Sequence, residues 1–499
     1  MTATGFPLLG TLILLPLLGA LITAMQADPV KAKKCALGFS LAELLLSLAV
    51  LWCMDFADPE PQLLERLPWI PSLRVDYLVG VDGLSAPFLP LTALLGAAVV
   101  LASWNSVQRL VPFYHALLLA LSGITMGVFC ALDLIAFFLF WELTLAPLYF
   151  LVSLWGIGPQ RRYAAIQYVM MMLAAGVPLL FGFVLLALNH ADALGLPAPA
   201  GLSFDYLTLL RTAMPEELQN TVFLLLFLGF AVKAPLFPFH VWLPRIAMEG
   251  PTAVTALLVG LKLGAYGLLR FALPLAPAGA QHYLGPVTAL AMVGIVYGAL
   301  LALTQTNLRR LLAFSSVSHV GYVVLGIASL NLQGVQGAAF QLANFTVVAG
   351  GLFLLAGFLQ QRLGTTELSG LGGLAKSMPR FATLFLVLGA AGMGVPGSNG
   401  FAAEHLIVLG AFRADLGLGL MALLGVILGA AYFLGYCRRA LFGPLRSRTA
   451  AEAADLLPRE FLVVALLAGL ALLAGLWPQV VLEAGAASAE RWVQDLARH

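Results

Sequence analysis

Charge is scarce in this sequence. Asp, Glu, Lys and Arg together make up 10% of its 499 residues, whereas a soluble domain carries about a quarter. That scarcity, with 61% hydrophobic residues and a mean hydropathy of +0.96, excludes an ordinary soluble enzyme and implies an integral membrane protein. Cysteine is scarcer still. The four cysteines, Cys35, Cys53, Cys130 and Cys437, form no C-x-x-C pair, which argues against a disulfide framework, a zinc site or an iron–sulfur cluster. No Gly-rich phosphate loop and no nucleophile motif is present, so redox chemistry and nucleotide binding are expected elsewhere. A net charge of +2 is too small to suggest a nucleic-acid partner. The N-terminal apolar run lacks a preceding basic region, and it reads as a retained span rather than a cleaved signal peptide.

What is abundant is apolar sequence in lengths that suit a bilayer. A span needs roughly 20 such residues. About fourteen segments qualify: 6–26, 35–54, 83–104, 112–131, 133–155, 163–188, 221–240, 253–275, 284–304, 309–330, 336–360, 381–412, 417–437 and 460–482. The fold class expected is an all-α polytopic membrane protein. Loops after odd-numbered spans hold seventeen Lys and Arg residues, from Lys31 to Arg459 and including Arg446, against four in the other loops (Arg66, Arg74, Arg211, Arg413). By the positive-inside rule the first set faces the cytoplasm and both termini face outside.

Two segments are interrupted. The seventh reads FLLLFLGFAVKAPLFPFHVWLP (223–244) and the twelfth contains GMGVPGSNG. They lie five spans apart, and five is odd, so a five-span repeat would place its second copy upside down. Interrupted helices at matching positions point to a transport site. Spans 4–8 and 9–13 therefore read as inverted repeats (112–280 and 281–441), with peripheral helices in 1–111 and a final span and tail in 442–499.

Ionisable residues at bilayer depth cost about 2.5–3.5 kcal/mol each on insertion scales and are functional candidates by default. Here they are Glu142, Lys233, Lys262, His319 and Glu404. Pro235 and Pro238 lack N–H groups and would free the carbonyls of Ala231 and Ala234 beside Lys233. Burial favours a neutral lysine and a nearby carboxylate favours a charged one, so Lys233 with Glu142 as a movable partner could take up and release a proton. Each residue also has a structural reading, Lys233 as the plug of a broken helix for example. Lys262 has no proline break. His405 and His240 read as boundary residues, Glu43 as lying near a span end or outside the core, and Asp133 as a helix N-cap.

The motifs themselves resemble a known family, the antiporter-like membrane subunits of respiratory complex I, and most closely its M-type. The resemblance covers nearly the whole chain. VDGLSAPF (81–88) is similar to the start of the family's third span. FWELTLAPLYFLVSLWG (140–156) resembles its glutamate-bearing fifth helix, VKAPLFPFHVWLP (232–244) its broken seventh, and LKLGAYGLLRF (261–271) its eighth. QTNLRRLLAFSSVSHVGYV (305–323) resembles the tenth, and GVPGSNGFAAEHLIVLG (394–410) the broken twelfth. Glutamate at 404, where L- and N-type subunits carry lysine, marks the M-type, and no long lateral helix of the L-type kind follows span 14.

The resemblance implies a proton-translocating subunit of an NADH:quinone oxidoreductase. Glu142, Lys233, Lys262, His319 and Glu404 would form its relay. The chain itself would hold no cofactor, with FMN, iron–sulfur clusters and quinone in partner subunits. L-type and N-type subunits would flank it in a bacterial inner membrane. Departures are also visible. Phe345 stands where the family often has histidine, so the step from Lys262 to Glu404 would use water, Asn344, Thr346 or His319. Arg245 and Met248 replace an acid and a histidine, Ala403 and His405 flank Glu404 where G-E-F is usual, and Asn307 replaces an aspartate. Other readings are a multi-subunit cation/proton antiporter, a membrane hydrogenase or carbon-uptake variant of the complex, and a non-pumping scaffold.

Overall fold

The computed structural model describes residues 6–445 and 447–497, so Arg446 lies outside the described residues. The chain is a bundle of helices. Among the described residues, ten of them are long and apolar enough to cross a membrane, and shorter apolar helices (Leu8–Ala24, Phe88–Ala102, Pro379–Gly392) stand among them. A helical polytopic membrane architecture suits the long continuous apolar runs of this sequence, because in lipid a helix satisfies every backbone polar group within its own segment. Neighbouring helices pair in sequence order, as in Leu284–Thr304 against Leu308–Ala328. Between distant segments, Leu332–Asn344 packs on Asn399–Ala414.

Several starts follow local chemistry. Asp133 accepts from the N–H groups of Ile135 and Ala136 and caps Leu134–Leu143, as its position predicts. Asp28, Asn307 and Asp415 cap other helices in the same way.

The structure departs from the sequence reading in four places. Residues 62–81, read as loop, form an antiparallel hairpin of β1 (Gln62–Ile70) and β2 (Val75–Val81). Its Glu65 accepts from the N–H groups of Leu9 and Gly10 at 2.7 and 2.9 Å and so caps the first helix. The last apolar run does not continue to 482. It stops at Leu476, and a separate amphipathic helix, Gln479–Ala497, follows Pro478. That helix lies along the end of the bundle, where Trp492 Nε1 donates to Leu269 O and Gly83 N donates to Ser488 Oγ. The eighth helix is broken after all, at Lys262 itself, between Thr252–Leu261 and Leu263–Gly267. Finally, Glu43 sits midway along Pro29–Trp52 and is fully buried, so of its two expected placements, near a span end or outside the core of repeats, the first is wrong.

Candidate functional site: a row of ionisable side chains through the bundle

The seventh helix, Glu216–Lys233, ends on the lysine. The chain then turns through Pro235 and Pro238 into Trp242–Glu249. One carbonyl expected to be free is taken, since Leu236 N donates to Ala231 O at 3.1 Å. Trp242 Nε1 also donates into the break, to Val232 O. Lys233 therefore turns elsewhere. Its Nζ donates to Trp141 O and to Thr144 Oγ1, both at 2.9 Å, and lies 3.9 Å from the Trp141 ring centre. Both acceptors stand where the fifth helix is interrupted, and Thr144 Oγ1 itself donates to Trp141 O at 2.7 Å. Pro147 lacks the N–H that would continue the ladder, and the helix divides into Leu134–Leu143 and Leu145–Trp155.

Glu142 is next to Trp141 in sequence but turns away. Its carboxyl packs against Gly176 of helix Arg161–Leu194, where a methyl group would collide with Oε1. Both its oxygens are buried without a hydrogen-bond partner, and among the described residues Glu142 makes no ion pair with Lys233. The expected contact between the two is therefore absent among the described residues.

Lys262 adopts φ +38°, a left-handed conformation that a non-glycine residue rarely takes. Such outliers cluster at functional sites because surrounding structure must hold them. What holds this one is a close approach. Gly264 lies against the backbone of Lys233 and Ala234, and a Cβ there would land on Ala234 N. Lys262 Nζ donates to Ser316 Oγ and lies 4.8 Å from the Phe345 ring centre, a cation–π distance. Between the two lysines is a cavity of about 30 Å³, lined by Lys233, Lys262, Thr125, Thr144, Tyr168 and Trp242 among others. One water needs roughly 10–15 Å³ by this measure, so the gap has room for water.

Beyond Lys262 a second cavity, of about 40 Å³, is bordered by Ser315, Ser316, His319, Asn344, Phe345 and Gly392. Across it stands His319. Its Nδ1 lies 2.7 Å from Ser315 O, and its Nε2 lies 3.2 Å from both Glu404 Oε1 and Gly392 O. Both ring nitrogens face oxygen acceptors, the arrangement a doubly protonated ring satisfies. Glu404 is on Asn399–Ala414, just past the twelfth-helix break, where Gly394 at φ +67° keeps clear of Oε2. Phe345 opens a five-residue π-helical stretch and sits between Lys262 and His319, 6.2 Å from the imidazole centre.

The five expected residues thus lie in one row: Glu142, Lys233, Lys262, His319, Glu404. Of the bridging groups considered for Phe345, His319 is in place beside Glu404. Thr346 is engaged with Gly260 O, and Asn344 Nδ2 with Gln341 Oε1. Sequence reasoning missed Ser316 and Thr144. Ser316 had a signal, since it stands one helical turn before His319. It also missed the buried ion pair of Arg270 with Asp82, at the two ends of quoted motifs. Among the described residues no group of three or more His, Cys, Asp or Glu side chains is arranged to hold a metal ion.

Residues 131–429 match the family described as NADH:quinone oxidoreductase/Mrp antiporter, TM. The chain belongs to this family. NADH-quinone oxidoreductase subunit M of Pseudomonas aeruginosa is 38% identical over 493 residues, covering 96% of each chain. F(420)H(2) dehydrogenase subunit M of Methanosarcina mazei is 36% identical over 96% of each. Among solved structures, a chain of respiratory complex I from Thermus thermophilus superposes with a TM-score of 0.89 at 32% identity, covering 98% of this chain and 99% of that one. A chain of the Mrp complex from Dietzia sp. shares the fold, with a TM-score of 0.84 at 23% identity, covering 98% of this chain and all of the other. For this family member, the row of acids and bases is the feature that a purely structural bundle would not need.

Proposed function

We propose that this chain is the M-type membrane-arm subunit of a proton-pumping NADH:quinone oxidoreductase. It moves protons along Glu142, Lys233, Lys262, His319 and Glu404 while redox chemistry proceeds in other subunits. The observation that carries the reading is the continuity of the row. Lys233 and Lys262 share one cavity, Lys262 bonds Ser316 at the edge of the next, and His319 across that cavity bonds Glu404. A proton arriving on Lys262 passes to Lys233 through water in the first cavity, or through Ser316 and the second cavity to His319. His319 and Glu404 form an acid–base pair that hands it outward. Glu142 sets the field at Lys233. Moving one charge against 100 mV takes about 2.3 kcal/mol, so the chain works only when coupled to partners.

In this reading the basic loops face the cytoplasm of a bacterial cell and both termini face the periplasm. The site straddles two inverted repeats, 112–280 and 281–441, within about fourteen spans. L-type and N-type subunits flank the chain, and FMN, iron–sulfur clusters and quinone belong to partner subunits. Glutamate at 404, rather than lysine, favours this reading over a cation/proton antiporter.

The test is Lys233→Ala in native membranes, with NADH-driven quinone reduction, acidification and a blot for assembly recorded together. Loss of both activities in an assembled complex is expected. Unchanged electron transfer and unchanged pumping would make Lys233 the plug of a broken helix.

A further inference from the structure

The peripheral helices carry acid–base groups that the row above does not use. Helix Pro29–Trp52 has a lipid-facing side of Leu41, Leu45 and Leu48, all well exposed. Its opposite side holds Ser40, Glu43 and Ser47, at 2%, 0% and 0% exposure. A carboxyl buried in the middle of an apolar bundle is expensive unless it is matched. Glu43 is matched only by a hydroxyl. Ser122 Oγ, on the neighbouring helix Val111–Cys130, lies 2.8 and 2.9 Å from its two oxygens. A serine has one hydrogen to donate, so only a proton on the carboxyl itself would make both contacts full hydrogen bonds. Among the described residues Glu43 forms no ion pair.

Helix Val111–Cys130 extends this site in both directions. Seven residues before Ser122, two turns back and hence on the same face, is His115. It is 0% exposed, and both its ring nitrogens are buried without a partner. Its neighbour Tyr114 shares a 2.9 Å hydrogen bond with Ser103. Tyr114 also lines a cavity of about 110 Å³ with Ser106, Thr252, Gln360 and Gln361, at the basic-loop ends of their helices. Lys33 Nζ donates to Trp104 O, and Arg459 stands over the Trp104 ring. Three residues past Ser122 is Thr125, which lines the cavity between Lys233 and Lys262.

We propose that Glu43, with Ser122 and His115, is a further protonation site, set on an inlet branch from the basic-loop face to the lysine cavity. The inference rests on the proton-translocating reading above. His115 accepts a proton at one ring nitrogen from water admitted from the Tyr114 cavity and releases one from the other to water that spans the roughly 10 Å of helix between it and Ser122. Glu43 takes that proton as the Ser122 hydroxyl accepts its previous one and passes its own on toward Thr125. Each group gains one proton and loses one, so no charge accumulates and no co-reactant is needed.

The experiment is infrared spectroscopy of the assembled complex in its membranes during exchange from H2O to D2O. A protonated-carboxyl band that shifts in D2O is expected in the native protein and is expected to vanish in Glu43→Gln. His115→Leu should keep the band and slow its shift at least about tenfold, the low end of what a positioned acid–base group contributes being larger still. Should Glu43→Gln fail to assemble, Ser122→Ala serves instead, and it should displace the same band by removing its hydrogen bond. A spectrum without such a band, a band unmoved in whichever of these two variants assembles, or an exchange rate indifferent to His115→Leu would overturn the proposal. None of these readouts depends on pumping, so failure of the branch is separable from failure of the relay, which Lys233→Ala tests.

Discussion

The two broken helices solve the same problem in opposite ways. At the seventh, the cation and the acid are apart. Lys233 donates to neutral oxygens, Trp141 O and Thr144 Oγ1, while the carboxyl of Glu142 faces Gly176 without a partner. At the twelfth, base and acid touch, with His319 Nε2 3.2 Å from Glu404 Oε1. A buried pair in contact is held by geometry, and breaking it strands a charge. A separated pair communicates only through its field, and either member can change state without breaking a bond. In the proposed relay, the first kind of site would hold a proton pair and the second could be switched.

Substitutions that remove one member from each site put this contrast to the test. Glu404→Gln deprives His319 of its charged partner and should lower coupled turnover on the order of 10²-fold, as loss of a positioned acid–base group does, measured as NADH-driven quinone reduction with acidification. Ser316→Ala removes a hydrogen bond to a charged amine, typically about 1.5–3 kcal/mol, and should slow pumping roughly tenfold with assembly intact on a blot. Glu142→Gln removes only a field. It should cost a few-fold, and the loss should grow at low ionic strength if the field reaches Lys233 through partly hydrated space. A Glu142→Gln effect as large as that of Glu404→Gln would abolish the distinction between the sites. Glu65→Ala lies in neither site. It should lower thermal stability by about 1 kcal/mol, the usual worth of a helix cap, and leave the ratio of protons to electrons unchanged.

Much of the site was legible because charge is so rare in this chain. Lys233, Lys262, Glu142 and Glu404 stand out against apolar neighbours, and Pro235, Pro238 and the PGSNG stretch announce the two breaks. Asp133 was readable as a cap because capping is a local bond between a side chain and the next two or three N–H groups. The break at Lys262 was not legible. No proline stands there, and its cause is Gly264 pressing on the backbone of a segment some thirty residues earlier in the chain, a contact that a glycine in a membrane helix does not announce. Thr144 and Ser316 were passed over because hydroxyls are common in membrane helices, where they usually bond their own backbone. The hairpin is not legible because residues 62–81 carry no Asn-Gly or Asp-Gly turn between alternating strands, and much of what fixes them is distant, Leu9 and Ala131 among it.

By itself, then, the sequence determined that this protein lives in a bilayer, which residues pay the cost of carrying charge there, and where proline and glycine stop two helices. These follow from transfer free energies and local backbone sterics, which need no knowledge of neighbours. Only the tertiary structure decided that Lys233 bonds Thr144 rather than Glu142, that Lys262 sits at a kink, and that His319 bridges to Glu404 past the ring of Phe345. Those outcomes depend on how each helix is rotated about its axis and how closely two backbones approach, and packing between segments far apart in the chain sets both.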